Sequence, residues 1–334
     1  MIFKRRAATG EAAAIDAFWT WWATGRPDVE KAIEGAGWDG VIADMTRLVA
    51  AIEPGLTWEF SNGTTSRHLL VVTAAGNRAL RAVAERWRRA GPDPDETFAF
   101  ASARQATPAA LTSRLSFDGT SLDLSELRFG ADVTQRGVNV EVWHPLFAGM
   151  PENARVNVAF LALDWLLGED GVEIWTALIE PVTAPGPDLT GAELAELVSA
   201  VAAERDGQWA LLRGTVDGRP LIGRIQLPLK AARWPAADTH VRLVVPYHAD
   251  ENGFPLEASL AALRELEDRI VAYADGPVLV ASETIGGTRT FHLYADRPAA
   301  AEVLEPIVAS WSEGRVTMSV EPDPTWESIR HLRP

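Results

Sequence analysis

Apolar residues recur along the chain in two rhythms. Near the start, Ile15, Phe18, Trp19 and Trp22 fall at i, i+3, i+4 and i+7, one stripe of a helix over residues 11–25. Pro27 suits the first turn of a second, short helix, which Gly35, Gly37 and Gly40 interrupt. Val41, Met45, Leu48, Val49 and Ile52 make another helical stripe, which Pro54-Gly55 ends. The period then drops to two. Leu56, Trp58 and Phe60 alternate with polar residues, Asn62-Gly63 signals a turn, and His68 to Thr73 reads as a more buried strand. Leu80, Val83, Ala84 and Trp87 form a helix stripe, Gly91-Pro92 breaks it, and Phe98 and Phe100 open another strand. Residues 56–104 are therefore predicted as strand, strand, helix, strand.

A hairpin is predicted at 111–124, centred on Asp118-Gly119, with strands at 126–134 and 138–144 turning at Arg136-Gly137. An apolar helix over 152–167, carrying Val156, Phe160, Leu163 and Leu167, and a strand over 172–179 complete a second strand, strand, helix, strand series. The repeated order points to a diverged internal duplication. Pro181, Pro185, Gly186 and Pro187 mark a linker, so the expected domains are 1–183 and 190–334, joined by 184–189. Thr190 and Glu193 have the spacing of a capping box, opening a helix with Leu194, Leu197, Val198 and Val201. A hairpin, 208–216 with 219–228, turns at Asp217-Gly218.

The last hundred residues carry the clearest pattern. Strands at 239–247, 277–284, 288–295 and 315–320, with helices at 256–274 and 298–311, give βαββαβ. The expected fold class is α+β: two domains, the N-terminal one helices followed by two ββαβ units, the C-terminal one a ferredoxin-like βαββαβ plait with an added helix and hairpin. One sheet face carries Val241, Leu243, Val245, Phe291, Leu293, Val316, Met318 and Val320, and should meet the helices. The opposite face carries Arg242, Thr290, His292, Tyr294, Arg315 and Thr317.

Four short motifs punctuate this C-terminal part: Asp217-Gly218-Arg219-Pro220, then Asp250-Glu251-Asn252-Gly253-Phe254-Pro255, then Gly286-Gly287-Thr288-Arg289-Thr290-Phe291-His292-Leu293-Tyr294, and Asp323-Pro324-Thr325-Trp326. Their order and placement resemble the bacterial "domain of unknown function 695" over about 205–334. Phe254 stands where an aliphatic residue is more usual, and Ile329 near where an aromatic is expected. The N-terminal half, with Phe18-Trp19-Thr20-Trp21-Trp22 and the Leu56-to-Phe60 strand, is similar to an uncharacterised region that often precedes that domain. The split βαβ order is also similar to the bacterial ribonuclease E regulator B family, a likeness of fold that carries no function. The resemblance implies architecture and no activity.

Composition narrows the function classes. The chain has 334 residues and a formal charge of −15, and it has no cysteine, which removes disulfides, thiol nucleophiles and cysteine-held clusters. Acidic residues exceed basic ones in both halves, 24 to 17 over 1–183 and 22 to 14 over 184–334, which disfavours nucleic acid and anionic membrane as partners. Only 3 of the 31 basic residues are lysine, a bias expected of GC-rich bacterial coding. The basic start Lys4-Arg5-Arg6 is followed by no apolar run of signal-peptide length, and a cytoplasmic location is expected.

Chemistry-bearing motifs are sparse. No dinucleotide-binding, phosphate-loop, nucleophile-elbow or His-Glu-x-x-His pattern occurs. His240 and His248 have nominal same-face parity, but Pro246 and the loop after it argue against a metal site. The acidic runs around Asp93-Asp95-Glu96 and Glu169-Asp170 lack calcium-loop spacing, and adjacent Asp250 and Glu251 have nothing to split their acidities. No catalytic residue, metal or cofactor is predicted. The candidate binding residues are Arg242, His292, Tyr294 and Arg315 on the polar sheet face, where aromatics stack bases in RNA-recognition folds, and Arg289 in its turn. Cover by the preceding hairpin or the N-terminal domain is the simpler fate of that face. An ion pair with Asp323 is the simpler fate of Arg289, and a plug closing the sheet that of Trp326. The leading expectation is a non-enzymatic regulatory or protein-binding module, with a protein partner or self-association. The alternative is a small-molecule binder or enzyme with a pocket at the domain interface.

Overall fold

The computed structural model describes residues 2–38, 40–117, 120–273 and 276–333. Its first helix, α1 (Ile2–Lys31), runs straight through Pro27 rather than stopping before it. Pro27 costs one helical hydrogen bond. Phe18 and Trp22 before it and Val29 after it are all buried in one core, and that burial outweighs the break. With α2 (Val41–Ile52), α1 covers a sheet in which β1 (Thr57–Asn62) pairs antiparallel to β2 (His68–Thr73). After α3 (Arg81–Arg89), β3 (Phe98–Ala101) returns parallel to β2. Trp19 stacks on Trp87 at 4.9 Å between ring centroids, and its Nε1 donates to the Trp87 carbonyl at 2.9 Å. These elements form one of two compact units, residues 1–106 with 168–170. Inside it the buried Glu169 accepts the Thr73 hydroxyl at 2.5 Å and the Arg104 amide at 3.2 Å.

The other unit comprises residues 107–167 and 171–334. It begins with the antiparallel pair β4 (Arg114–Phe117) and β5 (Thr120–Asp123); the turn expected at Asp118-Gly119 lies outside the described residues. Next, β6 (Arg128–Thr134) and β7 (Gly137–Trp143) are antiparallel. They are followed by α4 (Glu152–Trp175), which kinks at Gly168, and by β8 (Thr176–Val182), parallel to β7. The strand expected over 172–179 thus starts four residues late. Val172 ends a helical turn, accepting both the Thr176 amide and, at 2.6 Å, its hydroxyl, and packs in the core cluster with Leu163 and Leu166. Both ββαβ series share one topology, strand order 1-2-3 with an antiparallel and then a parallel pairing. Lys230 closes the α4–β8 junction: its Nζ donates to the carbonyls of Glu173 at 3.0 Å and Thr176 at 2.9 Å.

Helix α5 (Gly191–Arg205) starts in the predicted capping box, with Thr190 N donating to Glu193 at 2.8 Å and Glu193 N to the Thr190 hydroxyl at 3.3 Å. The remaining elements are β9 (Trp209–Val216), β10 (Arg219–Gln226), β11 (Thr239–Pro246), α6 (Glu257–Val271), β12 (Val278–Ile285), β13 (Thr288–Ala295), α7 (Glu305–Ala309) and β14 (Thr317–Pro322). The six strands form an antiparallel sheet in the order β14-β11-β13-β12-β10-β9. The predicted helix at 298–311 is 3₁₀ over Pro298–Leu304 before α7 begins, because Pro306 has no N–H to continue an α ladder.

Val241, Leu243, Val245, Phe291 and Leu293 pack against Leu263, Leu266, Ile270, Leu304 and Ile307 of the helical layer, as the alternation requires. The motif loops act as locks. Asp250 Oδ1 accepts the amides of Asn252 and Phe254 at 2.9 and 2.8 Å, and the Gly253 carbonyl receives the Tyr247 hydroxyl at 2.7 Å and Gly287 N at 2.9 Å. Gly253 has φ +82°, and a Cβ there would sit 2.8 Å from Gly286 Cα. Among the described residues no helix is long and apolar enough to cross a membrane.

Candidate functional site

The sheet face away from the helices is built by the pleat of β11 and β13. Register sets His240 opposite Tyr294 and Arg242 opposite His292, while β14 adds Glu321 and Ser319 beside them. These side chains form a connected polar row. His240 Nε2 lies 3.1 Å from His292 Nδ1, His292 Nε2 lies 3.0 Å from Glu283 on β12, and His331 Nε2 lies 3.2 Å from the other Glu283 oxygen. A carboxylate only accepts, so His292 donates from Nε2 to Glu283. The two imidazoles stack at 5.3 Å with planes 7° apart, and His240 also lies against the Tyr294 ring at 5.0 Å.

The far end of the row is sealed. Tyr294 is fully buried, and Trp326 stacks on it at 4.0 Å, with Trp234 stacked on Trp326 at 5.6 Å. The Tyr294 hydroxyl donates to Asp323 at 2.6 Å, and Trp326 Nε1 donates to the Ala237 carbonyl at 2.9 Å. Asp323 also accepts the amides of Glu327 and Ser328, tying down the turn Glu327–Leu332. Ile225, Leu229, Val280, Ile329 and Leu332 complete this second, smaller core.

Electrostatics follow burial. Desolvation, aided by His292 and Arg242, pushes His240 down to about 4, so it is neutral at pH 7. Burial alone would raise Glu283, but its bonds with His292 and the field of His292 and His331 hold it below the usual carboxylate range. Asp323 behaves likewise: burial opposes ionisation, and the hydrogen bonds from Tyr294, Ser328 and Glu327 overcome it. Burial and then the Asp323 carboxylate push the Tyr294 phenol up. The row has the parts of a proton relay, a carboxylate orienting one imidazole that holds another. Its innermost ring is spent on His292 and Tyr294, and its accessible end is His331, 53% exposed. Among the described residues no group of three or more His, Cys, Asp or Glu is arranged for a metal ion.

The structure does not gather the five predicted residues. His292 and Tyr294 are buried under the segment that follows β14, not presented to solvent. Arg289 lies on the helical side, half-buried, its Nε donating to Thr284 at 2.9 Å; Asp323, its expected partner, is taken by Tyr294 and two amides. Arg242 and Arg315 are exposed, and neither makes an ion pair among the described residues. His248 meets Glu313 at 3.2 Å instead of joining His240. Three members of the row, His240, Glu283 and His331, are not among the predicted site residues. His240 is within reach of the pattern, because it sits two positions before Arg242 on the same face.

The accessible apolar surface of this sheet lies elsewhere, on the β9–β10 hairpin. Leu211 is 54% and Ile222 36% exposed, on the same sheet side, with Arg213 directly across from Ile222 and Arg224 across from Leu211. Arg224 is held over Trp209 at 4.7 Å and pairs with Glu267 at 3.1 Å. Strand β9 is the outermost of the sheet. The chain matches no curated protein and no solved structure. A family model matches from residue 207 and does not reach the N-terminal region. The six-stranded sheet and the turn that seals it, residues 207–331, thus match the model of a family of unknown function, DUF695.

Proposed function

We propose that the DUF695 domain is a non-catalytic protein-binding module whose docking surface is the β9–β10 edge. The carrying observation is the pair Leu211 and Ile222, large aliphatic side chains left open side by side on the last hairpin of the sheet. The polar face that would otherwise invite a ligand is filled by Trp326 and its neighbours. The imidazole–carboxylate row then serves to satisfy buried polar atoms rather than to turn over a substrate. The test is capture from native lysate, comparing wild type with a Leu211→Glu, Ile222→Glu double variant. A specific protein retained by wild type and lost by the variant supports the module. Identical captured sets, or none, would remove the hairpin as a docking surface.

A further inference from the structure

Strand β9 offers more than an apolar patch. The Gln208 carbonyl accepts Leu227 N at 2.7 Å, which fixes the phase of the ladder. By the alternation of antiparallel pairing, residues 208, 210, 212, 214 and 216 face β10. Trp209, Leu211, Arg213 and Thr215 therefore turn their N–H and C=O groups away from the sheet. The register with β10 runs unbroken over eight pairs, with no bulge. The strand has no proline, and Arg213 is its one charged residue. Such an edge is a template for another strand.

The charge of the hairpin identifies the strand it fits. Residues 209–226 hold Arg213, Arg219 and Arg224 against Asp217 alone, in a chain of net charge −15. Arg213 and Arg219 are exposed and make no ion pair among the described residues. A second copy docking edge to edge would bring like-charged hairpins together, which is unfavourable. Resting on the module proposed above, we infer that β9 receives an extended segment of a partner protein in which an apolar residue stands two positions from an Asp or Glu, both on the face of Leu211 and Arg213. Its backbone would complete the ladder at the four outward residues. Its apolar side chain would cover Leu211 and Ile222, and its carboxylate, on the same face, would meet Arg213.

The experiment is a display selection of random octapeptides on the immobilised full chain, counter-selected on a Leu211→Pro variant. Leu211 N–H points outward, so proline there removes no bond of the β9–β10 ladder and blocks only the docking side. Unchanged circular dichroism and melting verify that the variant folds. The expected result is enrichment on wild type of sequences with an apolar residue two positions from an Asp or Glu, lost on Leu211→Pro. Binding of the enriched peptides should weaken about tenfold on Arg213→Glu, a fully exposed change. Enriched sequences that are basic or uncharged would overturn the acidic partner while leaving the module standing. Concentration-dependent dimerisation of the wild type, abolished by Leu211→Pro, would give the edge to a second copy with the same effect. No enrichment over the Leu211→Pro variant would overturn the inference and the module together.

Discussion

At His240 the cost of burying a charge exceeds the gain of ionising it, and the ring stays neutral between His292 and Tyr294. Its pKa falls from the ordinary 6.5 to about 4 on folding. The unfolded chain therefore binds more protons in that interval, and the contribution of His240 to stability is complete above pH 6.5 and lost as pH falls toward 4. Glu283 and Asp323, whose folded pKa values are also lowered, add a loss in the same direction below their ordinary range, near 4. The groups that face His240 are His292 and Tyr294 across one pair, Glu321 of β14 across the other, Arg242 on its own strand and Asp323 beyond them. The melting temperature should hold above pH 7 and drop between pH 6.5 and 4. His240→Gln keeps a side-chain amide that can bond His292 without a titrating ring. It should flatten that drop, read by fluorescence melts across the pH series; an unchanged profile would place the acid sensitivity elsewhere.

Among the elements, those with local signals were legible. The Thr190–Glu193 cap, the hairpin turn at Asp217-Gly218 and the four strands of the βαββαβ series stand where period and turn residues put them, with ends shifted by a residue or two. The sequence also placed His292 and Tyr294 on the side away from the helices, because parity fixes the face. It also offers Trp326 as a plug, which the structure bears out, but it does not show the segment that comes with it. The closing segment, Trp326 followed by a short 3₁₀ turn, has no periodicity, and Trp326 itself adopts a left-handed backbone with φ +58°. Pro27 misleads for a related reason: local propensity favours a break there, and burial on both sides of it decides otherwise. The loop locks yield a paired test. Gly218→Ala at φ +74° meets no neighbour and should cost only the left-handed backbone, about 1 kcal/mol. Gly253→Ala adds a 2.8 Å approach to the Gly286 backbone and should cost more, about 2–4 kcal/mol, in denaturant titrations. Equal losses would mean that the Gly253–Gly286 contact relaxes freely.

For the whole molecule, the cationic surface is almost entirely guanidinium, spread over a chain of net charge −15. Arginine stays charged across the physiological range and forks onto carboxylates, which suits both the internal pairs, such as Arg86 with Glu11 at 2.7 Å, and the open pair on the hairpin. Lysine is so scarce that its few positions become chemical markers. Lys230 spends its ammonium on the two carbonyls at the α4–β8 junction, while Lys31 is exposed and merely paired with Asp28 at 3.0 Å. An amine-directed acylating reagent should therefore tag Lys31 rapidly and Lys230 only when that junction opens. The ratio of the two tags, read by peptide mass mapping, becomes a clock for local unfolding that needs no engineered probe.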